Sequence, residues 1–531
     1  MHLARVQIEN FRGIPRLDIP LDPLTVVIGE NNHGKTSLFD VLDRCLGGPG
    51  GGETGVWEYR DFRRSEEGTL ETIRVLLTFD GDQRTQLHVE FSGDPETGAM
   101  RHRFLDDQGR ALEVSDSDTV LRRLRQLHPV LLIRLAQPLE PNVLEWTRPE
   151  GSALDDEDED EGPEEAITRV YHRLAAARGP VPAEELRRAF LAVGALRDQV
   201  EGRVQSSLAP VRKVLENFLE GNGSGRAHPM GGGSQNLGLL LVLGSLLEMR
   251  GRVSLDVEAT PLIAIEEPEV HLHPMVLSST WDVIENLQAQ TLVTTNSGEF
   301  LADVPLGVLR RLVRRDGRIE AFQLRPGRLD AESLRRVGYH VSAKRGAILF
   351  ARCWLLVEGE TEFWLLRELA RTLGYDLEAE GVRCVEFAQC GVGPLARLAN
   401  ELGIEWHLVA DGDESGVVFA REAIDFLEGR AKRRHVTTLD RRNIEAFLWH
   451  HGFEDIYREA AGVGLRGTED GDRFSPRRII ERAVRRNSKP YLALSVAEEC
   501  ARRGPQSIPP LLRAVIEDAV ELAREAVQNG S

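Results

Sequence analysis

Leu24-Thr25-Val26-Val27-Ile28-Gly29-Glu30-Asn31-Asn32-His33-Gly34-Lys35-Thr36-Ser37 is the stretch on which the fold turns. It opens with an apolar run of strand length and passes through a loop bounded by Gly29 and Gly34. Leu38, Val41, Leu42 and Cys45 then recur at helical spacing. Strand, glycine loop and helix in this order is the context in which GxxxxGK[ST] cradles phosphate. Loop N–H groups face the β-phosphate, with Asn31, Asn32, His33, Gly34 and Ser37 as lining positions. Lys35 neutralises phosphate charge and the Thr36 hydroxyl ligates Mg²⁺.

A nucleotide loop of this kind needs a carboxylate on a neighbouring buried strand. Leu262-Ile263-Ala264-Ile265-Glu266-Glu267-Pro268-Glu269 supplies it, with Glu266 on the metal side and Glu267 placed to polarise the attacking water.

A second acidic constellation lies far downstream. Cys353 to Val357 reads as a strand with Glu358 at its end, and Glu362 follows at the start of a helix running through Leu369. Trp406 to Ala410 reads as the next strand, with Asp411 and Asp413 coming off its end. Carboxylates converging there repel one another unless divalent cations neutralise them.

At 531 residues the chain exceeds what one core supports. Its 85 acidic against 66 basic residues give a net charge of -19, yet a local basic groove still suffices for DNA. Only five basic residues are lysine (Lys35, Lys213, Lys344, Lys432, Lys489), which singles each of them out. The five cysteines form no CxxC pair, no apolar run is long enough for a membrane span, and the N-terminus lacks a signal-peptide core, so a cytoplasmic location is expected. The acidic run Asp155 to Glu161 reads as a linker. Helical patterns occupy 164–220, and a glycine-rich break follows at Gly221 to Gly225, so this block has the character of an insertion.

Glu266-Glu267-Pro268-Glu269-Val270-His271-Leu272-His273-Pro274, together with Ile8-Glu9-Asn10-Phe11-Arg12-Gly13, resembles the ABC-type ATPases of the SMC and RecF kind. That resemblance implies that Gln137 contacts the metal. It also implies that Gly231-Gly232-Gly233-Ser234-Gln235 of a second copy completes each site through Ser234, making the protein a homodimer. Two departures stand out: the signature lacks the usual serine-glycine-glycine order, and Asn296 replaces the expected switch histidine. An asparagine can hydrogen-bond a γ-phosphate but cannot act as an imidazole would, so slow turnover is expected.

The downstream carboxylates, with Gly391-Val392-Gly393 between them, resemble Toprim, and ABC ATPase followed by Toprim resembles the OLD (overcoming lysogenization defect) family nucleases. The resemblance implies two Mg²⁺ or Mn²⁺ ions held by Glu358, Glu362, Asp411 and Asp413, with Glu445 of Asn443-Ile444-Glu445 serving the second metal. Lys489 would lie over the scissile phosphate, and Glu358, Asp411, Lys489 and Glu267 would be the catalytic residues. The fold class that follows is α/β multidomain. An ABC ATPase (1–150 and 223–345) carries an inserted helical dimerisation segment (151–222), and a Toprim core (350–450) with a helical C-terminal part (451–531) comes after it.

The expected function is metal-dependent DNA cleavage or nicking regulated by ATP, with a helicase as a further partner and no membrane. The alternative is a DNA-binding ATPase clamp or repair scaffold whose Toprim domain is not catalytic. His271 and His273 are expected to shape the loop after Glu267, and Trp354, Trp364 and Trp406 to pack in the core. The clusters Arg310, Arg311, Arg314, Arg315; Lys432, Arg433, Arg434, Arg441, Arg442; and Arg482, Arg485, Arg486 are phosphate-contact candidates.

Overall fold

A computed structural model describes residues 1–47, 56–65, 67–81, 86–134, 163–175, scattered positions between 185 and 247, 258–270, 272, 274–344, 346–464 and 474–528. Gln137, Ser234 and the rest of the 231–235 segment, His271, His273, the acidic run and most of the 151–222 block lie outside the described residues. The chain divides into two compact units, Met1–Ala321 and Phe322–Ser531.

The first unit is built on an 11-stranded mixed sheet. Its strands are β1 (His2–Phe11), β2 (Ile14–Pro20), β3 (Leu24–Gly29), β4 (Ile73–Asp80), β5 (Gln86–Gly93), β6 (Met100–Leu105), β7 (Val130–Arg134), β8 (Leu262–Glu266), β9 (Gln290–Thr294), β10 (Leu309–Arg315) and β11 (Arg318–Phe322). They lie in the order β6-β5-β4-β1-β2-β11-β10-β3-β9-β8-β7. One end is an antiparallel meander, whereas β10, β3, β9, β8 and β7 run parallel. Among the parallel strands β3, β7 and β8 are mainly apolar, as strands covered on both faces are, and every residue of β9 is buried.

Helix α1 (Lys35–Leu46) lays Leu38, Val41, Leu42 and Cys45 into the core, as their spacing requires. Gly34 caps it at φ 85°, where a Cβ would come within 2.7 Å of Ile14. A side chain there would push the phosphate loop off the sheet.

Arg310 and Arg311 do not face phosphate. Both are buried on β10, and Arg310 donates to the Pro20 carbonyl at 3.0 Å and pairs with Asp22. The guanidinium of Arg310 ties down the β2–β3 turn, which would otherwise bury unpaired polar groups.

The second unit holds a four-stranded parallel sheet in the order β13-β12-β14-β15, from β12 (Cys353–Val357), β13 (Val382–Glu386), β14 (Glu405–Ala410) and β15 (Val436–Thr438). Helix α2 (Glu360–Leu373) follows β12 and α3 (Glu414–Ile424) follows β14. Helix α4 (Ile444–Leu448) comes after β15, and α5 (Pro476–Arg486), α6 (Lys489–Arg503) and α7 (Pro510–Gln528) form the helical end of the chain. One core serves sheet and helices: Val357, Leu366, Phe447, Val496 and Ile516 belong to a single buried cluster.

Residues just after β11 pack within this second unit, where Arg325 and Arg328 pair with Glu401 at 2.9 and 2.7 Å. Trp354 and Trp406 are fully buried, but Trp364 is only half-buried and donates its indole N–H to Glu360 at 3.3 Å, so it is not a core residue. No helix among the described residues is long and apolar enough to cross a membrane.

Candidate functional site

In the first unit the loop after β3 places Lys35 under the sheet end. Its ammonium donates to the carbonyls of Gly29 at 2.5 Å and Glu30 at 3.2 Å. Burial lowers its pKa, opposed by Glu267, Glu30, Glu269 and Glu266. The Thr36 hydroxyl donates to Glu266, so the two expected metal-side oxygens are already adjacent. Asn31 and Asn32 are exposed on the loop, His33 Nδ1–H donates to the Leu312 carbonyl at 3.0 Å, and Ser37 is half-buried at the start of α1.

Glu267 sits at φ 50°, a left-handed conformation that costs a non-glycine residue about 1 kcal/mol or more. Its N–H donates to the Thr294 carbonyl at 2.9 Å, and its carboxylate accepts from Asn296 Nδ2 at 2.5 Å. Lys35, Thr36, Glu266, Glu267 and Asn296 are therefore brought together as the sequence proposed.

Two neighbours escaped the sequence reading. Arg134 donates to Glu266 at 3.1 Å and pairs with Asp40, which also pairs with Arg12. Arg134 stands opposite Glu266 in the β7–β8 register, a relation invisible until the strand order is known. Glu269 accepts from the Thr295 hydroxyl at 2.7 Å and the Asn296 N–H at 3.0 Å, and its pKa is raised, chiefly by burial. Its spacing from Glu267 was visible, but its role as a tether between two loops was not.

In the second unit the acids gather at the carboxyl ends of parallel strands. Glu358 follows β12, and Glu362, in the first turn of α2, accepts from the Gly359 N–H at 3.2 Å. Asp411 follows β14, and Asp413 caps α3 by accepting from Gly416 N–H at 2.8 Å. Gly412 lies so close to the β15–α4 loop that a Cβ would stand 2.4 Å from the Arg441 carbonyl, and its N–H donates to that same carbonyl at 3.0 Å. The loop carrying Asp411 and the loop leading to Glu445 are thus held together.

Burial, then the charges of Glu362, Glu358, Glu445 and Asp413, pushes Asp411 up to about 8. Burial foremost pushes Glu362 up to about 7, and burial followed by Asp413 raises Glu358. Oε2 of Glu358 and Oε2 of Glu445 are buried with no hydrogen-bond donor. Lys489, at the start of α6, pairs with the buried Glu445 at 2.8 Å.

The acids form a coupled field rather than a finished cage: among the described residues no three carboxylate, imidazole or thiol groups are gathered around one point. Asn443 is spent as the cap of α4, accepting from Ala446 N–H at 3.0 Å, while Glu414 and Ser415 are exposed. Arg434 is taken up by Glu521 and Glu525 at 3.2 and 3.0 Å rather than facing the acids.

A family model described as protein of unknown function (DUF2813) matches residues 1–92 and 87–347, and one for the overcoming lysogenization defect protein-like TOPRIM domain matches residues 349–413. The chain is 33% identical over 582 aligned residues to the uncharacterized protein YbjD of Escherichia coli K12, covering 99% of each. It is 23% identical to the OLD nuclease of Thermus scotoductus, over 77% of this chain and 82% of that one. It is also 23% identical to the Old nuclease of Escherichia phage P2, over 80% of each.

Proposed function

The chain belongs to the DUF2813 family and is an OLD-family protein in which an ABC-type ATPase precedes a Toprim domain, and from this premise we propose that it is a metal-dependent DNA endonuclease or nickase governed by ATP. The observation that carries the reading is the field of buried and half-buried acids at the strand ends, with orphaned oxygens on Glu358 and Glu445 and a lysine already reaching in. Buried carboxylates without donors cost several kcal/mol unless a cation or proton joins them.

Glu358, Glu362, Asp411, Asp413 and Glu445 would hold two divalent cations, Mg²⁺ or Mn²⁺. When bound, these supply water activation and stabilisation of the leaving oxygen. Asp411 and Glu358, fixed at strand ends, orient the reacting phosphate against the attacking water. Lys489 counters charge on the scissile phosphate and is held for that task by Glu445.

At the nucleotide site Lys35 binds phosphate, Thr36 and Glu266 would hold Mg²⁺, and Glu267 orients water. Asn296 can donate to Glu267 or to a γ-phosphate but carries no titratable proton. This supports slow turnover, with ATP acting as a clamp between two copies of the chain, and a helicase is a fitting further partner.

Incubation of the full chain with supercoiled plasmid and Mn²⁺ tests the reading. Nicking that EDTA abolishes and that D411N lacks is expected, and intact plasmid at all Mn²⁺ concentrations would overturn it. The alternative, an ATPase clamp with a non-catalytic Toprim domain, is separated from this reading by the same assay.

A further inference from the structure

Helix α5 carries five arginines and one glutamate, Pro476-Arg477-Arg478-Ile479-Ile480-Glu481-Arg482-Ala483-Val484-Arg485-Arg486, in a chain whose net charge is -19. Ile479, Ile480 and Ala483 are buried and fix which face looks outward. Arg477 pairs with Glu481 at 2.9 Å, and Arg486 donates to the Ala461 carbonyl at 2.8 Å. That leaves Arg478, Arg482 and Arg485, spaced i, i+4, i+7, as one exposed stripe. Among the described residues none of the three makes an ion pair, and Arg482 only lies over the Phe474 ring at 6.0 Å.

Such an arrangement works against the helix. Arg478–Arg482 and Arg482–Arg485 are like-charge neighbours at i,i+4 and i,i+3, each costing a few tenths of a kcal/mol. Arg477 and Arg478 also sit in the first turn, where the helix dipole disfavours cations and no acid compensates. Elsewhere on this unit arginines are spent on carboxylates, as with Arg502 and Arg503 on Glu499 and Arg524 on Glu380. The stripe spans about 10 Å, and one DNA strand carries a charge every ~3.4 Å along the axis, so three guanidiniums match about three phosphates. Four residues beyond Arg485, Lys489 enters the acid field through Glu445.

We propose that the Arg478–Arg482–Arg485 stripe is a DNA-backbone contact that leads a strand to the Lys489 side of the acid field. The inference rests on the reading of DNA as substrate. It places the contact on phosphate rather than bases, so it sets position and not sequence.

The test is binding of the full chain to a short duplex oligonucleotide in EDTA, where no metal-dependent cleavage intrudes, with KCl varied between about 50 and 200 mM. R478A/R482A/R485A should lower the slope of log affinity against log salt by about 2 to 3, and R478K/R482K/R485K should retain most of it. An unchanged slope in the alanine variant overturns the proposal. If that variant fails to fold, R485A alone should lower the slope by about 1, and no change there overturns it equally. Wild-type protein that binds with the full slope yet never nicks plasmid in Mn²⁺ would sink the nuclease reading and leave the stripe standing.

Discussion

Lys489 and Glu445 meet at 2.8 Å although one opens a helix of the C-terminal part and the other follows the last strand of the parallel sheet. Glu445 is buried and Lys489 half exposed, so the pair presents a cation at the rim of the acid field while its partner stays inside. K489M should therefore act twice, removing the phosphate contact and leaving Glu445 uncompensated. Nicking of supercoiled plasmid should fall by about 10²- to 10³-fold, and a variant within twofold of wild type would refute the assignment.

Cation binding can be read without activity. At about 100 times the dissociation constant a bound ion stabilises the folded state by roughly 2.7 kcal/mol, a clear rise in Tm. Mn²⁺ should raise the Tm of the wild type and not of E358Q or D411N. In EDTA these two should melt no earlier than wild type, because each removes one of several mutually repelling acids.

On the proposed reading of the nucleotide site, the Asn296–Glu267 contact is what would limit turnover. E267Q should abolish phosphate release while leaving nucleotide binding intact, whereas K35A should lose binding. N296H should raise ATP turnover by about tenfold or more, since an imidazole can carry a proton at that point. Malachite-green release and nucleotide titration distinguish these outcomes.

Glu401 sets an acid limit on the second unit. Burial pushes its pKa up, but hydrogen bonds from Arg325 and Arg328 outweigh this and bring it down to about 2. A depressed acid contributes stability that is present above its ordinary range near 4.5 and is lost as pH falls through about 2. E401Q should cost about 1.5–3 kcal/mol at neutral pH, and the gap from wild type should close between pH 4.5 and 2 in denaturant titrations.

Much of this architecture was legible because the signals were local. Leu24 to Thr36 read as strand, loop and helix, and Glu358 and Asp411 read as residues at strand ends. Arg134 was missed because it meets Glu266 only through the pairing of strands 132 residues apart. Arg310 was misread because composition marks an arginine as a surface cation, while its aliphatic stem and fork suit it equally to clamping a turn from within. Trp364 erred the other way: an aromatic beside an apolar helix face suggests core, but its indole N–H found an exposed glutamate.

Gly412 is the point where a hydrogen atom in place of a methyl group keeps two acid-bearing loops together. Its neighbours at 2.4 and 2.5 Å are backbone carbonyls of Arg441 and Leu439, which cannot swing aside as a side chain can. Any substitution there must prise the Asp411 loop from the loop ahead of Glu445. If the second unit is the proposed nuclease, G412A would therefore silence it with every acid still in place, a lesion that no inspection of the carboxylates would reveal.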